Sequence, residues 1–212
     1  MEFKSNMKKT TSKKTLNTRQ PEKALKSKKD NNFLNEIMNF NKKFVTNKKY
    51  LNYKTTKFPN KKIAILSCMD TRLIELLPVA LNLKNGDAKI IKNAGGLVTH
   101  PFGSVMRSLL VCIYELQVES IMVVGHTNCG MQNLDSERII KKMQKRNINI
   151  NEIEMVKYCG INIDQWLRGF DSMENSVLET VNIIKNHPFI PKDVSISGFI
   201  INSETGELKQ LS

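Results

Sequence analysis

Two cysteines and one histidine stand at spacings that suit a metal ion. Cys68 ends the apolar run of residues 63–68, and His126 and Cys129 follow a second apolar run with two residues between them. That separation lets one turn direct both side chains at the same ion. Thiolates and an imidazole suit zinc, and three protein ligands leave the fourth tetrahedral position to water. The residues therefore predict one zinc ion per chain, in a catalytic rather than a structural site.

Each of these residues alone has an ordinary structural explanation. A cysteine after an apolar strand is usually a small buried hydrophobe, and His126 alone fits a hydrogen-bonded core histidine. The joint pattern after two separate strands is what favours a ligand set. Cys112 lies on the apolar face of a predicted helix and Cys159 precedes a loop glycine. Neither is expected to bind the metal.

Alternating strands and helices are predicted to position the ligands. Short apolar runs predict buried strands, and helical periodicity fills the intervals between them. The predicted strands are residues 61–68, 88–92, 120–125, 194–201 and 207–211, and the predicted helices are residues 71–83, 102–116 and 176–186, with shorter pieces over 135–160. The fold class is therefore α/β, a central, mainly parallel sheet flanked by helices, with a C-terminal antiparallel hairpin strand.

This topology is expected to bring the ligands to one edge of the sheet. In such sheets, ligands bind beyond the carboxyl ends of the strands, where the strand order reverses. Cys68 ends the first strand, and His126 and Cys129 follow the third. A helix predicted to open at Gly130 and Met131 would favour the thiolate of Cys129, because helix N-termini stabilise negative charge.

The net charge of +13 is concentrated near the N-terminus. Residues 1–62 hold 18 of the 33 Lys and Arg but 4 of the 20 Asp and Glu, and the rest is nearly neutral, with 15 against 16. Residues 1–32 have too few apolar side chains to offset the entropy of ordering, so we predict a disordered basic tail there. Residues 33–212 are predicted to form a single domain that begins with an amphipathic helix at 33–45.

No secretory signal and no membrane-spanning stretch is visible, so no membrane insertion is expected. The expected location is the cytoplasm. A transit peptide for an organelle is the less favoured alternative, because the tail is rich in Lys and holds Arg19 alone.

Two short motifs surround the predicted ligands. They read Cys-Met-Asp-Thr-Arg over residues 68–72 and His-Thr-Asn-Cys-Gly over residues 126–130. They match the Cys-x-Asp-x-Arg and His-x-x-Cys-Gly signatures of the β-class carbonic anhydrases, which the sequence resembles from about residue 33 to residue 211.

The resemblance implies reversible hydration of carbon dioxide to bicarbonate and a proton by a zinc-bound hydroxide. It assigns three zinc ligands and one ion pair: Cys68, His126 and Cys129, and Asp70 with Arg72. A bidentate contact from the guanidinium would hold the carboxylate away from the open position. In this family the same Asp also binds zinc in closed forms, so the pair is expected to act as a switch.

A turn after the second strand is expected to serve the substrate. Its backbone N–H groups would steady bicarbonate, and they belong to Asn93, Ala94, Gly95 and Gly96. Taken singly, the two glycines are more typical of a simple turn. Apolar walls are expected from Leu97, Val98 or Phe102, and candidates for a proton shuttle are His100 and His187.

The resemblance also implies a homodimer or a higher even oligomer, with the amphipathic helix exchanged between subunits. Because two thiolates donate more charge than imidazoles, turnover is expected to rise with pH through an apparent pKa above neutral.

Two other functions stay open. Hydrolases of the same fold attack carbonyl sulfide or carbon disulfide with the same zinc chemistry. A non-enzymatic, zinc-stabilised protein would use the basic tail to attract polyanions. That tail lacks interleaved aromatic residues for base stacking, so no specific nucleic acid is expected.

Overall fold

The computed structural model describes residues 28–212, so the predicted basic tail lies outside it except for residues 28–32. The chain divides into one unit that ends at Tyr53 and a second that spans Lys54–Ser212.

The first unit contains a long amphipathic helix. Helix α1 spans Lys28–Thr46, beginning five residues before the predicted start, and a 3₁₀ helix follows at Lys49–Tyr53. The ring of Phe44 packs near that of Tyr53, with 6.1 Å between the centroids. The rest of the apolar face is exposed and lines a groove of about 510 Å³, which includes Phe33, Ile37 and Phe40.

The second unit is built on a five-stranded sheet. Its strands are β1 (Ile63–Cys68), β2 (Ala88–Asn93), β3 (Ser120–His126), β4 (Ser195–Ile201) and β5 (Leu208–Gln210). They lie in the order β2-β1-β3-β4-β5, the first four parallel and β5 antiparallel to β4. The predicted fold class is confirmed. The strand order reverses between β1 and β3.

Six helices connect and cover these strands in the described part of the second unit. They are α2 (Leu73–Ala80), α3 (Ser104–Tyr114), α4 (Ser136–Lys145), α5 (Ile150–Tyr158), α6 (Ile163–Leu167) and α7 (Met173–Lys185). Helix α2 is shorter than predicted. Residues 69–72 form a loop ahead of it, and Asn82 leaves helical geometry with a φ of 50°.

The centre of the sheet is buried on both faces. Residues 64–68 of β1 are all buried, and successive strand residues face opposite sides. Such a run is typical of a parallel strand covered on both faces. The apolar core includes Leu77 of α2, Leu109 of α3 and Val181 of α7. The close-packed core therefore supports the ends of β1 and β3.

None of the helices in residues 28–212 combines the length and the apolar character that a bilayer crossing requires.

Candidate metal centre

The three predicted ligands lie at the reversal point of the sheet. Cys68 is the last residue of β1 and His126 is the last residue of β3, and these strands are parallel neighbours. Their carboxyl ends therefore meet where ligands bind in sheets of this kind. Asn128 has a φ of 54°, a left-handed conformation that asparagine tolerates, and it bends the chain between His126 and Cys129.

The ligand atoms are close enough to share one ion. The two sulfurs and a ring nitrogen of His126 lie within 4.8 Å of one another, and all three residues are buried. The sulfurs of Cys68 and Cys129 are 3.8 Å apart. A tetrahedral zinc with Zn–S bonds of about 2.3 Å separates its sulfurs by about 3.8 Å. The donor set therefore fits zinc.

The orientation of the His126 ring leaves one nitrogen lone pair for a cation. Nδ1 of His126 lies 2.9 Å from the carbonyl oxygen of Thr127. A carbonyl only accepts, so Nδ1–H donates and the neutral ring carries its lone pair on Nε2. Nε2 is buried and has no hydrogen-bond partner among residues 28–212. A buried polar atom without a partner is costly, and a metal ion at this position would satisfy it.

Each of the two thiols affects the ionisation of the other. The hydrogen bond from Cys129 lowers the pKa of the Cys68 thiol to about 4 against the opposing effect of burial, helped by His126 and by the N–H groups of Asp70 and Gly95. The same contact, with burial, raises the pKa of Cys129. One thiol therefore ionises readily, and the second keeps its proton until a cation enters.

The predicted helix at Gly130 is wrong. After Cys129 the chain makes turns, and α4 begins only at Ser136. The chain keeps turning here because Asn133 also has a positive φ, of 54°. The support for the Cys129 thiolate is therefore a hydrogen bond from the N–H of Met131, which lowers its pKa, and not a helix N-terminus.

Asp70 and Arg72 form a bidentate ion pair. Nε and Nη2 of Arg72 each donate to a different carboxylate oxygen at 2.9 Å, and the backbone N–H of Arg72 adds a third bond. The guanidinium holds the pKa of Asp70 well below its usual range. Nη2 also donates to the carbonyl of Asn128 at 2.9 Å, which joins the two motifs. Oδ2 of Asp70 lies 3.9 Å from Nε2 of His126.

The turn after β2 packs directly on Cys68. Asn93 closes it, since its Nδ2 donates to the carbonyl of Leu97 at 2.7 Å and its Oδ1 accepts from the Leu97 N–H at 3.0 Å. Within the Ala94–Gly96 turn, a Cβ on Gly96 would lie 2.8 Å from the backbone nitrogen of Cys68. The turn thus lies beside the centre, and its role toward a substrate stays a prediction.

Other candidate residues lie outside the ligand group. Phe102 is exposed, and its ring lies 5.2 Å from that of buried His187. His100 is exposed and accepts a hydrogen bond from the N–H of Phe102. Cys112 is buried in the core and Cys159 is exposed. Across the described residues, none of these joins the group of potential ligands.

Sequence reasoning missed a support behind His126. Ser203, buried in the turn between β4 and β5, donates its hydroxyl to the carbonyl of Thr127 at 3.0 Å. That carbonyl also accepts the proton of His126. The Ser203 N–H donates in turn to Oγ1 of Thr127 at 3.0 Å. Ser203 and Thr127 are 76 positions apart in the sequence, so no local motif indicates this contact.

A Cys-His-Cys group at the reversal point of a mainly parallel sheet defines an α/β protein with a candidate catalytic metal centre. The sequence model of the carbonic anhydrase family matches residues 63–208. The chain belongs to the β-class carbonic anhydrase family.

Individual relatives agree with this assignment. YtiB, a candidate carbonic anhydrase of Bacillus subtilis (strain 168), is 53% identical over 175 residues, 82% of this chain and 94% of that protein. The crystal structure of β-carbonic anhydrase isoform I from Trichomonas vaginalis matches with a TM-score of 0.77 and 32% identity, over 84% of this chain and 96% of that one. A carbon disulfide hydrolase of Acidianus sp. (strain A1-3) is 31% identical, over 71% of this chain and 78% of that protein.

Proposed function

We propose that this protein is a zinc enzyme that catalyses the reversible hydration of carbon dioxide to bicarbonate. The observation that carries the proposal is the buried group of Cys68, His126 and Cys129, whose atoms lie within 4.8 Å of one another beside an Asp70 carboxylate engaged by Arg72. Zinc, when bound there, would lower the pKa of a coordinated water toward neutrality.

The protein's own groups would hold the reacting atoms. The Arg72 guanidinium keeps Asp70 ionised and fixes the position of its carboxylate beside the candidate ligands. Oδ2 of Asp70 would accept a hydrogen bond from the attacking water and turn its lone pair toward the substrate. His126 would keep its proton on Nδ1, where the Thr127 carbonyl holds it. The proton released by the reaction would leave through solvent or an added buffer.

Stopped-flow carbon dioxide hydration with zinc-quantified protein tests the proposal. We expect about one zinc per chain and faster turnover at pH 8.5 than at pH 7. Cys68→Ala should lose both zinc and activity. Cys159→Ala is the matched control, because this cysteine is exposed and outside the ligand group. Bound zinc with no hydration at either pH would contradict the proposal.

A second candidate is hydrolysis of carbon disulfide or carbonyl sulfide. The 31% identity to the Acidianus carbon disulfide hydrolase favours it. Both reactions need the same polarised water, so the zinc ligands do not distinguish them. Incubation of the zinc-loaded protein with carbon disulfide, followed by detection of hydrogen sulfide, does. Sulfide release at a higher kcat/KM than carbon dioxide hydration would replace the first proposal.

We further propose that two copies associate through α1. Phe33 and Phe40 are 62% and 66% exposed on its apolar face, a large apolar area to leave in water. Phe40→Glu should therefore shift the protein to a monomer in size-exclusion chromatography with light scattering. Asn35→Glu adds the same charge on the opposite face and should not. A parent protein that is already monomeric would rule the association out.

A further inference from the structure

A lysine forms hydrogen bonds at both ends of the loop that carries Asp70 and Arg72. Lys92 stands next to last in β2 and extends its side chain toward the end of β1. Its Nζ lies 3.2 Å from the carbonyl oxygen of Cys68 and 3.3 Å from that of Leu73. An ammonium donates and a carbonyl accepts, so one group holds the residues on either side of the loop 69–72.

The surroundings of Lys92 suit this task. The side chain is half-buried, and this burial lowers the pKa of the ammonium, while the negative charges of Cys68 and Asp70 act in the opposite direction. Removing an ammonium from water is costly unless hydrogen bonds replace the lost hydration. Here the replacement comes from the two loop carbonyls. The ammonium also adds a positive charge beside the anionic groups of the centre.

We propose that Lys92 is a positioning residue for the metal centre, holding the loop 69–72 so that Asp70 stays paired with Arg72. The inference rests on the proposed function, because it assigns a part in the same reaction. Oδ2 of Asp70 is 3.9 Å from Nε2 of His126. Two donors on one tetrahedral zinc, with bonds of about 2.0–2.2 Å, lie about 3.3–3.5 Å apart, so a shift of the loop on the order of 0.5 Å along this line would bring Asp70 into the metal's coordination.

The test compares Lys92→Met, Lys92→Arg and the control Lys89→Met in the full-length, metal-loaded protein. Lys89 lies on the same strand, and no hydrogen bond joins it to either loop carbonyl. Lys92→Met should retain zinc but lose about tenfold in kcat, with KM less affected, as expected for a residue that supports a ligand. Lys92→Arg should recover most of kcat, because a guanidinium also donates to two carbonyls. Lys89→Met should match the parent.

Cobalt substitution gives a readout that is independent of turnover. Entry of Asp70 into the coordination sphere changes the visible absorption of bound Co²⁺, so Lys92→Met should shift that spectrum and Lys89→Met should not. Should Lys92→Met fail to fold, Lys92→Gln makes the comparison with a shorter, uncharged side chain whose amide still donates. Parent-like kcat and spectrum in the Lys92 variant would overturn the proposal, as would equal losses in the Lys89 variant. If the parent hydrates no carbon dioxide, the proposed function fails, and the cobalt spectra still decide the role of Lys92.

Discussion

Replacing Gly96 by alanine is predicted to disturb the metal centre through the backbone. Gly96 has a φ of 69°, and a Cβ there would lie 2.8 Å from the nitrogen of Cys68 and 2.9 Å from the carbonyl carbon of Ser67. Both contacts are with the main chain of β1, which is hydrogen-bonded on both sides. Neither atom can rotate away, so the turn or the end of β1 must move.

The loss of stability expected for Gly96→Ala has two separable parts. A left-handed φ costs a residue with a Cβ about 1–2 kcal/mol. Forcing a methyl group into a packed site adds about 1–3 kcal/mol. The expected loss in the free energy of unfolding is therefore about 2–5 kcal/mol for Gly96→Ala. Gly160→Ala isolates the first part, because Gly160 has a φ of 87° and the described part of the chain places no atom within 4 Å of the added Cβ.

Urea unfolding of the two variants measures this difference, with zinc content as a second readout. Gly96→Ala should have the lower midpoint and less zinc, since the displaced atoms belong to a ligand residue. Gly160→Ala should lose about 1–2 kcal/mol and keep its zinc. Equal midpoints and equal zinc contents would refute the argument that the turn supports Cys68 by close backbone contact.

Three further predictions concern Ser203, the two thiols and the N-terminal tail. Ser203→Ala should lose about 1 kcal/mol of stability and release zinc to a chelator faster than the parent, because the Thr127 carbonyl loses a donor; an unchanged release rate would contradict this support. Zinc uptake near neutral pH should release about one thiol proton, not two, because the lowered pKa leaves Cys68 ionised while the raised pKa keeps Cys129 protonated. A pH indicator in weak buffer measures the number of protons released. Release of two protons would show that the pKa values of the thiols are unperturbed. Deleting residues 1–27 should leave zinc content and activity unchanged, and a loss of either would show that the tail does more than carry charge.

Local sequence signals predicted most of the fold and of the ligand group. The apolar runs and the helical periodicity found all five strands and the main helices, because each signal lies within one element. The clustering of the candidate ligands was predictable because Cys68 and His126 end their strands, and parallel strands align such ends. The helix predicted at Gly130 failed, since glycine and asparagine turns compete there with helix formation. Lys92 and Ser203 were missed because their partners lie far along the chain.

The order β2-β1-β3 has a consequence for how the centre assembles in time. His126 and Cys129 are neighbours along the chain, but Cys68 lies 61 residues before Cys129 and joins them only when β1 pairs with β3. An unfolded chain therefore offers a metal two local ligands, and the third arrives with the long-range closure of the sheet, an entropically slow step. Conversely, an ion held by all three would leave when the middle of the sheet opens. The dissociation rate of the ion would therefore report the rate at which β1 separates from β3.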